Sequence, residues 1–311
     1  MANGLGPVER QSDRVPRGRQ VPGPFQVGLL PINLPTRVGA RKLLRLFSEE
    51  GTVPLFAILT LFPDALEPYL GSSILGIAQS KGLLDVKLVD FRDFARDRHR
   101  TVDERPFGGG PGMVLRPEPL VDCIEWLEER HGRFRRLALC PGGQVLRQPL
   151  VTELASEERV LLICGRYEGF DARIRQVLEI EEVSVGDFVV AGGELPALMV
   201  LEAAARLIPG VLGDERSALE DSFAPNEDGM ELLDCPHYTR PRMYRGLPVP
   251  EVLLSGDHQA IAAWRRQQAL ERTKNTRPDL LPGDNTISTN QALNSGSAQT
   301  PTPADTRHNA P

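Results

Sequence analysis

Three glycine-bearing segments stand directly after short apolar runs: Cys140-Pro141-Gly142-Gly143, Gly165-Arg166-Tyr167-Glu168-Gly169, and Val185-Gly186-Asp187 onward to Gly192-Gly193. Glycine after a strand is ordinarily a turn, so each segment alone says little. Three together can present backbone N–H and C=O groups to one pocket. None contains a lysine, so the pocket suits a ligand read through its edge, such as an adenine, rather than one gripped by charge. A fourth segment, ERPFGGGPGM at 104–113, sets four glycines around a proline. A phosphate-binding loop would need Gly-Lys-Ser/Thr there, and Met113, Val114 and Leu115 follow instead. Pro117 and Pro119 are expected to keep the chain extended where a dinucleotide-binding turn would open a helix.

The charged candidates are Arg166 with Glu168, Arg206, and the pair Glu220-Asp221. Each has a bland competitor. An arginine near a helix end is often a surface ion pair, and Glu-Asp before Ser-Phe is often a cap or a solvated loop. His99, inside RDRHR, reads as a surface or RNA-backbone residue sooner than a metal ligand. Cys235-Pro236-His237 is half of a metal site with no second Cys/His pair at ligand spacing, which favours a structural role. Trp264 sits at helical spacing and reads as core.

These residues must be carried by ordered elements, and the composition permits them. The 311 residues are 41% hydrophobic and 25% charged, with a net charge of −6. That balance describes a globule, and it argues against a general nucleic-acid coat while leaving room for local basic patches. No apolar run reaches the roughly 18 residues of a membrane span. The four cysteines lie far apart without a C-x-x-C, which fits a reducing cytoplasm.

Residues 1–53 are rich in Pro, Gly and Arg and read as a disordered extension carrying one basic amphipathic run, ARKLLRLFSEE. A transit peptide is a second reading, weakened by Glu9 and Asp13, and an over-extended start with the domain opening near Val53 is a third. Over 54–213, PLFAILTLF, DVKLVDF, RRLALC, RVLLICG and EVSVGDFVV are expected strands. They alternate with expected helices over LEPYLGSSILGIAQSKG, EPLVDCIEWLEERHG, PLVTELASEE, FDARIRQVLE and ELPALMVLEAAARLI, while PGGQVLRQ reads as a turn. The alternation predicts an α/β domain with a mostly parallel sheet covered on both faces. An acidic linker over 214–230 leads to a small helical domain over 231–281, with Ser255 and Asp257 as cap candidates and a basic surface from Arg265 to Arg277. The Asn/Ser/Thr/Pro tail, 282–311, is expected to be disordered.

The segments DRHRTVDERPFGGGPGM, ICGRYEGFDAR, VGDFVVAGGELPA, RLIPGVLG, EDSF, LLDCPHYTRP and VPEVLLSGDH occur in one order. Together, over roughly residues 54 to 281, they resemble the bacterial tRNA (guanine-N1)-methyltransferase family. The resemblance implies a SPOUT-class α/β fold with a deep trefoil knot, an all-helical C-terminal domain, and a homodimer. It implies methyl transfer from S-adenosylmethionine to N1 of the guanine at tRNA position 37, immediately 3′ of the anticodon, in the cytoplasm and with no membrane. Assistance by Mg²⁺ is part of the same expectation, although no carboxylate cage for it is visible in the sequence.

By this resemblance Asp221 is the base that takes the N1 proton, and Arg206 meets the charge left on the guanine carbonyl oxygen. A carboxylate is a weak base, so docking of the substrate would have to bury it. The donor pocket is implied for Leu139, Cys140, Pro141 and Gly143; for Gly165, Arg166, Tyr167 and Glu168; and for Ser184, Val185, Gly186, Asp187, Phe188, Val189, Val190, Gly192, Gly193 and Pro196. The glycine loop, with Gly108, Gly109 and Gly112, becomes a thin wall of the same site. His99, Arg100 and Asp103 would contact tRNA, and Arg265 and Arg266 would meet stem phosphates. The linker is expected to order when tRNA arrives.

Cys140 stands where the family commonly has Ser, and Phe107 and Phe188 where it commonly has Tyr. Main-chain donor binding tolerates those losses. An insertion-like Asn-Glu-Asp-Gly at 226–229 puts the linker's length and ordering in doubt. Two other readings stay open: a non-catalytic RNA-binding protein that kept the fold, and a related enzyme of the same class with another acceptor.

Overall fold

A computed structural model describes residues 52–213, 221–224 and 229–281. The expected N-terminal extension, the C-terminal tail and most of the linker lie outside them. The chain divides into two compact units between Gly213 and Asp214.

The first unit is built on five strands: β1 (Leu55–Thr60), β2 (Asp85–Asp90), β5 (Arg135–Val145), β6 (Arg159–Cys164) and β7 (Glu181–Ser184). They lie in the order β2-β1-β6-β5-β7, and every pairing is parallel. Two-residue strands β3 (Asp103–Glu104) and β4 (Val114–Leu115) pair antiparallel beside it.

Side chains of a strand alternate between faces, and here the alternation feeds two separate cores. Phe56 and Ile58 of β1 join Val160 and Leu162 of β6 in one core. Leu55, Ala57 and Leu59 join Leu161 and Ile163 in the other. Burial on both faces is why these segments read as unbroken apolar runs. Helices α1 (Pro63–Leu70), α2 (Ser73–Ser80), α4 (Gln148–Ala155) and α6 (Glu194–Ala205) cover the first face. Helix α3 (Pro117–His131) covers the second through Leu120, Cys123, Ile124 and Leu127, at i, i+3, i+4 and i+7, and stops at Gly132 with φ 86°.

Four local expectations are corrected. Pro117 does not keep the chain extended; it opens α3, a position where its missing N–H is no loss. PGGQVLRQ is not simply a turn. Leu139 and Gln144 both face Val183, so Cys140–Gly143 bulge out and the strand resumes after them. The helix expected over FDARIRQVLE contracts to one turn, α5 (Ile174–Val177), because the chain before it is tied elsewhere: Leu115 N–H donates to Gly169 O and Asp171 N–H to Leu115 O. The strand expected over EVSVGDFVV pairs only as far as Ser184, and Gly186 with φ 149° turns the rest into a loop.

The second unit contains helix α7 (His258–Thr276), capped by the Asp257 carboxylate, which accepts from the N–H groups of Gln259 and Ala260. The buried Thr273 hydroxyl donates to Ala269 O and accepts from Leu233 N–H, fastening the preceding segment to the helix. The unit is not all-helical: β8 (Met243–Tyr244) and β9 (Leu247–Pro248) form a hairpin.

The carboxyl end of β6 meets the start of α6 through Gly193, whose N–H donates to Gly165 O at 2.9 Å. A Cβ on Gly193 would lie 2.7 Å from Cys164 Cα and 2.9 Å from Gly165 N, whereas one on Gly142 would meet nothing within 4 Å. Gly193→Ala is therefore expected to cost about 1–3 kcal/mol, the range of overpacking, and to lower the thermal unfolding midpoint. Gly142→Ala should leave it unchanged in the same calorimetric comparison.

Candidate active site

The loops after β5, β6 and β7 converge at the carboxyl edge of the sheet, where ligands of open α/β folds bind. They enclose a cavity of about 400 Å³. Of the residues expected there, Leu139, Cys140 and Pro141 line it, with Gly165 to Glu168, Ser184 to Gly186, Phe188 to Val190, Gly192, Gly193 and Pro196. Asp187 is not among the lining residues. Gly143 lies behind the wall, where a Cβ would stand 2.4 Å from the main chain of Glu182 and Val183.

The sequence reading missed Phe170, Arg175, Glu182 and Val183; Gly142, Gly169 and Ala191 also line the cavity and fall within the three glycine-bearing segments. Arg175 and Glu182 matter most, because they bring both signs of charge into the cavity. Arg175 Nη2 lies 2.6 Å from Glu182 Oε1, and the Cys140 thiol donates to the same oxygen at 3.4 Å. Burial, and then the Glu182 carboxylate, push the Cys140 thiol up from its ordinary value and keep it protonated.

A second cavity of about 460 Å³ shares Arg166, Tyr167, Glu168, Val189, Val190 and Ala191 with the first and adds Phe62, Gly112 and Met113. The glycine loop therefore reaches the site at its end. Gly108, Gly109, Gly110 and Gly112 all have positive φ, and of the four Gly112 alone lines either of these two cavities. A Cβ on it would run into the Glu168 side chain, 2.3 Å from Oε1. Glu168 N–H donates to Met113 O at 2.9 Å and holds the loop's exit against the shared wall. Tyr167, at φ 58°, occupies the left-handed region that a bulky residue enters only under constraint.

That wall is pinned from beneath. The Glu194 carboxylate, in the first turn of α6 and 6% exposed, accepts from Thr60 Oγ1 at 2.8 Å and from Arg166 Nε at 3.2 Å. Its other oxygen lies 3.0 Å from Arg166 Nη2. The Arg166 guanidinium also sits 4.4 Å from the centre of the Phe62 ring. A Cβ on Gly192 would lie 2.2 Å from Arg166 Nε and 2.4 Å from Glu194 Oε2, so this ion pair is what requires glycine there.

The other expected residues stand apart from the cavities. Arg206 is exposed at the far end of α6. His99 donates its N–H to Asp97, Arg100 pairs with Asp93, and Asp103 sits in β3 opposite Leu115. Asp221 belongs to the second unit, where its neighbours are tied down: Ser222 Oγ accepts from Asp234 N–H at 2.9 Å, and Phe223 N–H donates to Leu232 O. Arg265 and Arg266 are exposed on α7, and Trp264 is half-buried with its ring centre 6.2 Å from that of Tyr238.

The profile of the family described as tRNA (Guanine-1)-methyltransferase TrmD matches residues 55–283. Proteins named tRNA (guanine-N(1)-)-methyltransferase are similar over most of their own length. That of Geobacillus kaustophilus is 49% identical over 224 residues, covering 72% of this chain and 90% of the relative. That of Bacillus subtilis is 50% identical with the same coverage, and that of Rhodopirellula baltica is 49% identical over 229 residues, 73% and 93%. The chain belongs to the tRNA (guanine-N1)-methyltransferase family.

In this member of the tRNA (guanine-N1)-methyltransferase family, the shared wall rests on an asymmetric pair, since Glu194 is buried and Arg166 keeps a 26% exposed side chain. Removing Glu194 leaves a cation that water can reach; removing Arg166 strands a buried carboxylate. Arg166→Met is expected to destabilise by about 3–5 kcal/mol and Glu194→Gln by less. The double variant should lose less than the sum, by about 1 kcal/mol or more, in a denaturant double-mutant cycle.

Proposed function

We propose that the chain transfers a methyl group from S-adenosylmethionine to N1 of the guanine at tRNA position 37. One observation carries this reading: a cavity lined by the glycine-bearing loops at the sheet's carboxyl edge shares a wall with a second cavity bordered by the glycine loop. Two ligands on either side of Arg166–Glu168 and Val189–Ala191 would meet there. The donor fits the first cavity by size, within the range of small-molecule sites. It also fits by chemistry. Main-chain groups suit an adenine edge, while Glu182, Glu168, Arg175 and Arg166 offer both signs of charge to a zwitterionic amino-acid group and a sulfonium.

Bound S-adenosylmethionine supplies an electrophilic methyl group. The chain's own residues do the rest. Leu139 to Gly142, Ser184 to Gly186, Phe188 to Val190 and Gly192–Gly193 hold the donor in place, which converts the encounter into an oriented, effectively unimolecular step. Asp221 accepts the N1 proton. Arg206 meets the negative charge that proton loss leaves on the guanine carbonyl oxygen.

Arg206 bears on the assembly. Gly193, at the cavity, and Arg206 bracket a helix of 12 residues, about 18 Å long at 1.5 Å per residue. An arginine side chain does not span that length, so a second copy supplies Arg206 to each donor cavity. Leu195 and Met199, 65% and 50% exposed, stand on the same side of α6 at i and i+4 and give the homodimer an apolar contact. A knotted chain path is part of the reading: β6 inserts between β1 and β5, both earlier in sequence, and Met113–Leu115 is stitched to Glu168–Asp171.

In the same reading 54–213 is the methyltransferase domain, 214–230 the linker that brings Asp221 in when tRNA binds, and 231–281 the tRNA-binding domain. His99, Arg100, Asp103, Gly108 and Gly109 face the nucleotide, and Arg265 and Arg266 meet phosphates. Among the described residues the candidate metal cluster is Asp234, Cys235 and His237. Its thiol and imidazole do not fit Mg²⁺, so we place any assisting Mg²⁺ on the tRNA phosphates. The substrate places the enzyme in the cytoplasm; no helix among the described residues is long and apolar enough to cross a membrane.

Incubation with an unmodified tRNA transcript and labelled donor should place the methyl on that guanine, and a transcript lacking it should take up none. Methyl found at any other position would favour an enzyme with another acceptor. Asp221→Ala should cut turnover at least about 100-fold, the scale of a lost general base, while donor affinity by calorimetry stays put. For the assembly, Arg206→Ala is mixed in equal amount with a variant whose donor cavity is filled from a lining position that has room for a side chain, Gly142→Trp. A shared site predicts one intact site per mixed dimer, and so recovery to about a quarter of wild-type activity in the whole mixture; a site built within one chain predicts none.

A further inference from the structure

The hairpin of the second unit combines features that the reaction above leaves unused. Its segment, Arg240 to Pro250, holds three arginines and no acidic residue, within a chain whose net charge is −6. None of Arg240, Arg242 and Arg245 forms an ion pair with a carboxylate among the described residues. Tyr244, in β8, is 59% exposed, and its strand neighbour Met243 and cross-strand partner Leu247 are exposed as well. The two-residue turn between the strands is Arg245-Gly246, with φ 53° and 81°. Both signs are those of a tight hairpin turn that ordinarily takes Asn-Gly or Asp-Gly. An arginine stands there instead, its guanidinium carbon 5.4 Å from the centre of the Tyr244 ring.

An exposed aromatic face beside unpaired cations on a short projecting ribbon has the chemistry of a single-stranded RNA contact. Every base offers a π-face to stack on, and the intervening phosphates need positive charge. A protein partner would not require three uncompensated arginines in one segment. We propose that this hairpin grips unpaired nucleotides of the tRNA, with Tyr244 stacked on a base and Arg242 and Arg245 holding the flanking phosphates. The proposal rests on the reading of tRNA as substrate and adds to it a determinant of binding that takes no part in the chemical step.

The test measures affinity of the full-length protein for an unmodified tRNA transcript, by fluorescence anisotropy over a series of salt concentrations. Tyr244→Ala is expected to weaken binding about tenfold or more, and Tyr244→Phe to keep wild-type affinity, because stacking needs the ring and not the hydroxyl. Arg242→Gln with Arg245→Gln should lower the salt dependence by roughly one phosphate per arginine. Donor affinity and the thermal midpoint should not move, since all three side chains are exposed. Unchanged tRNA affinity and salt slope in both variants, with wild type still methylating the guanine, would overturn the hairpin proposal alone. Failure of wild type to bind or methylate tRNA would instead remove the functional reading beneath it.

Discussion

A Cβ atom on Gly143 would stand 2.4 Å from the main chain of Glu182, and one on Gly193 would stand 2.7 Å from the Cα of Cys164. Backbone touches backbone at both places, and no side chain, however flexible, can be inserted between them. Those two contacts draw the loops after β5, β6 and β7 into one ring. The wall includes several glycines, which leave main-chain N–H and C=O groups open beside the side chains of Arg166, Glu168, Arg175 and Glu182. A cavity made this way is present before any ligand arrives. It can distinguish the edge of a flat heterocycle without a single charged contact to it.

The Arg166–Glu194 pair completes that ring from below, and its cost explains another glycine. A carboxylate as buried as Glu194 is tolerated because its Oε1 accepts from Thr60 and Arg166, the Arg166 charge lies 3.0 Å from Oε2, which accepts no hydrogen bond, and the helix N-terminus it occupies favours negative charge. The guanidinium runs directly over Gly192, so the chain can follow only if that residue has no side chain. One side of Arg166 thus belongs to the core and the other to the wall between two cavities. In the proposed reaction this fixed wall contrasts with the proton acceptor, whose strap is fastened by Ser222 to Asp234 in the other unit. A preformed donor site and a base delivered separately let one substrate bind without committing the other.

The sequence showed β1, β6 and α3 clearly, because burial on two faces gives uninterrupted apolar runs and burial on one face of a helix gives i, i+3, i+4, i+7 spacing. The cavity loops were legible for a related reason: glycine clustered after each run. Gln144 resuming the strand was not legible, since a bulge is defined by the partner strand and not by the bulged one. Arg175 and Glu182 carried no signal, because each sat in a segment expected to be plain regular structure: a helix that the ties to Leu115 shorten, and a strand that stops before Gly186. The hairpin escaped notice as well, with two-residue strands too short to alternate and Arg245 where a turn-forming Asn would have flagged it. For Asp221 and Arg206, spacing and composition gave only candidates; their roles came from the motifs' resemblance to a family.

The most direct measurement is a crystal structure of the full chain with S-adenosylhomocysteine, the demethylated donor. The account predicts the adenine edge within hydrogen-bond distance of main-chain N–H and C=O groups in the segments 139–143 and 184–190. An adenine held by side chains alone, or seated in the second cavity against Phe62 and Met113, would contradict it.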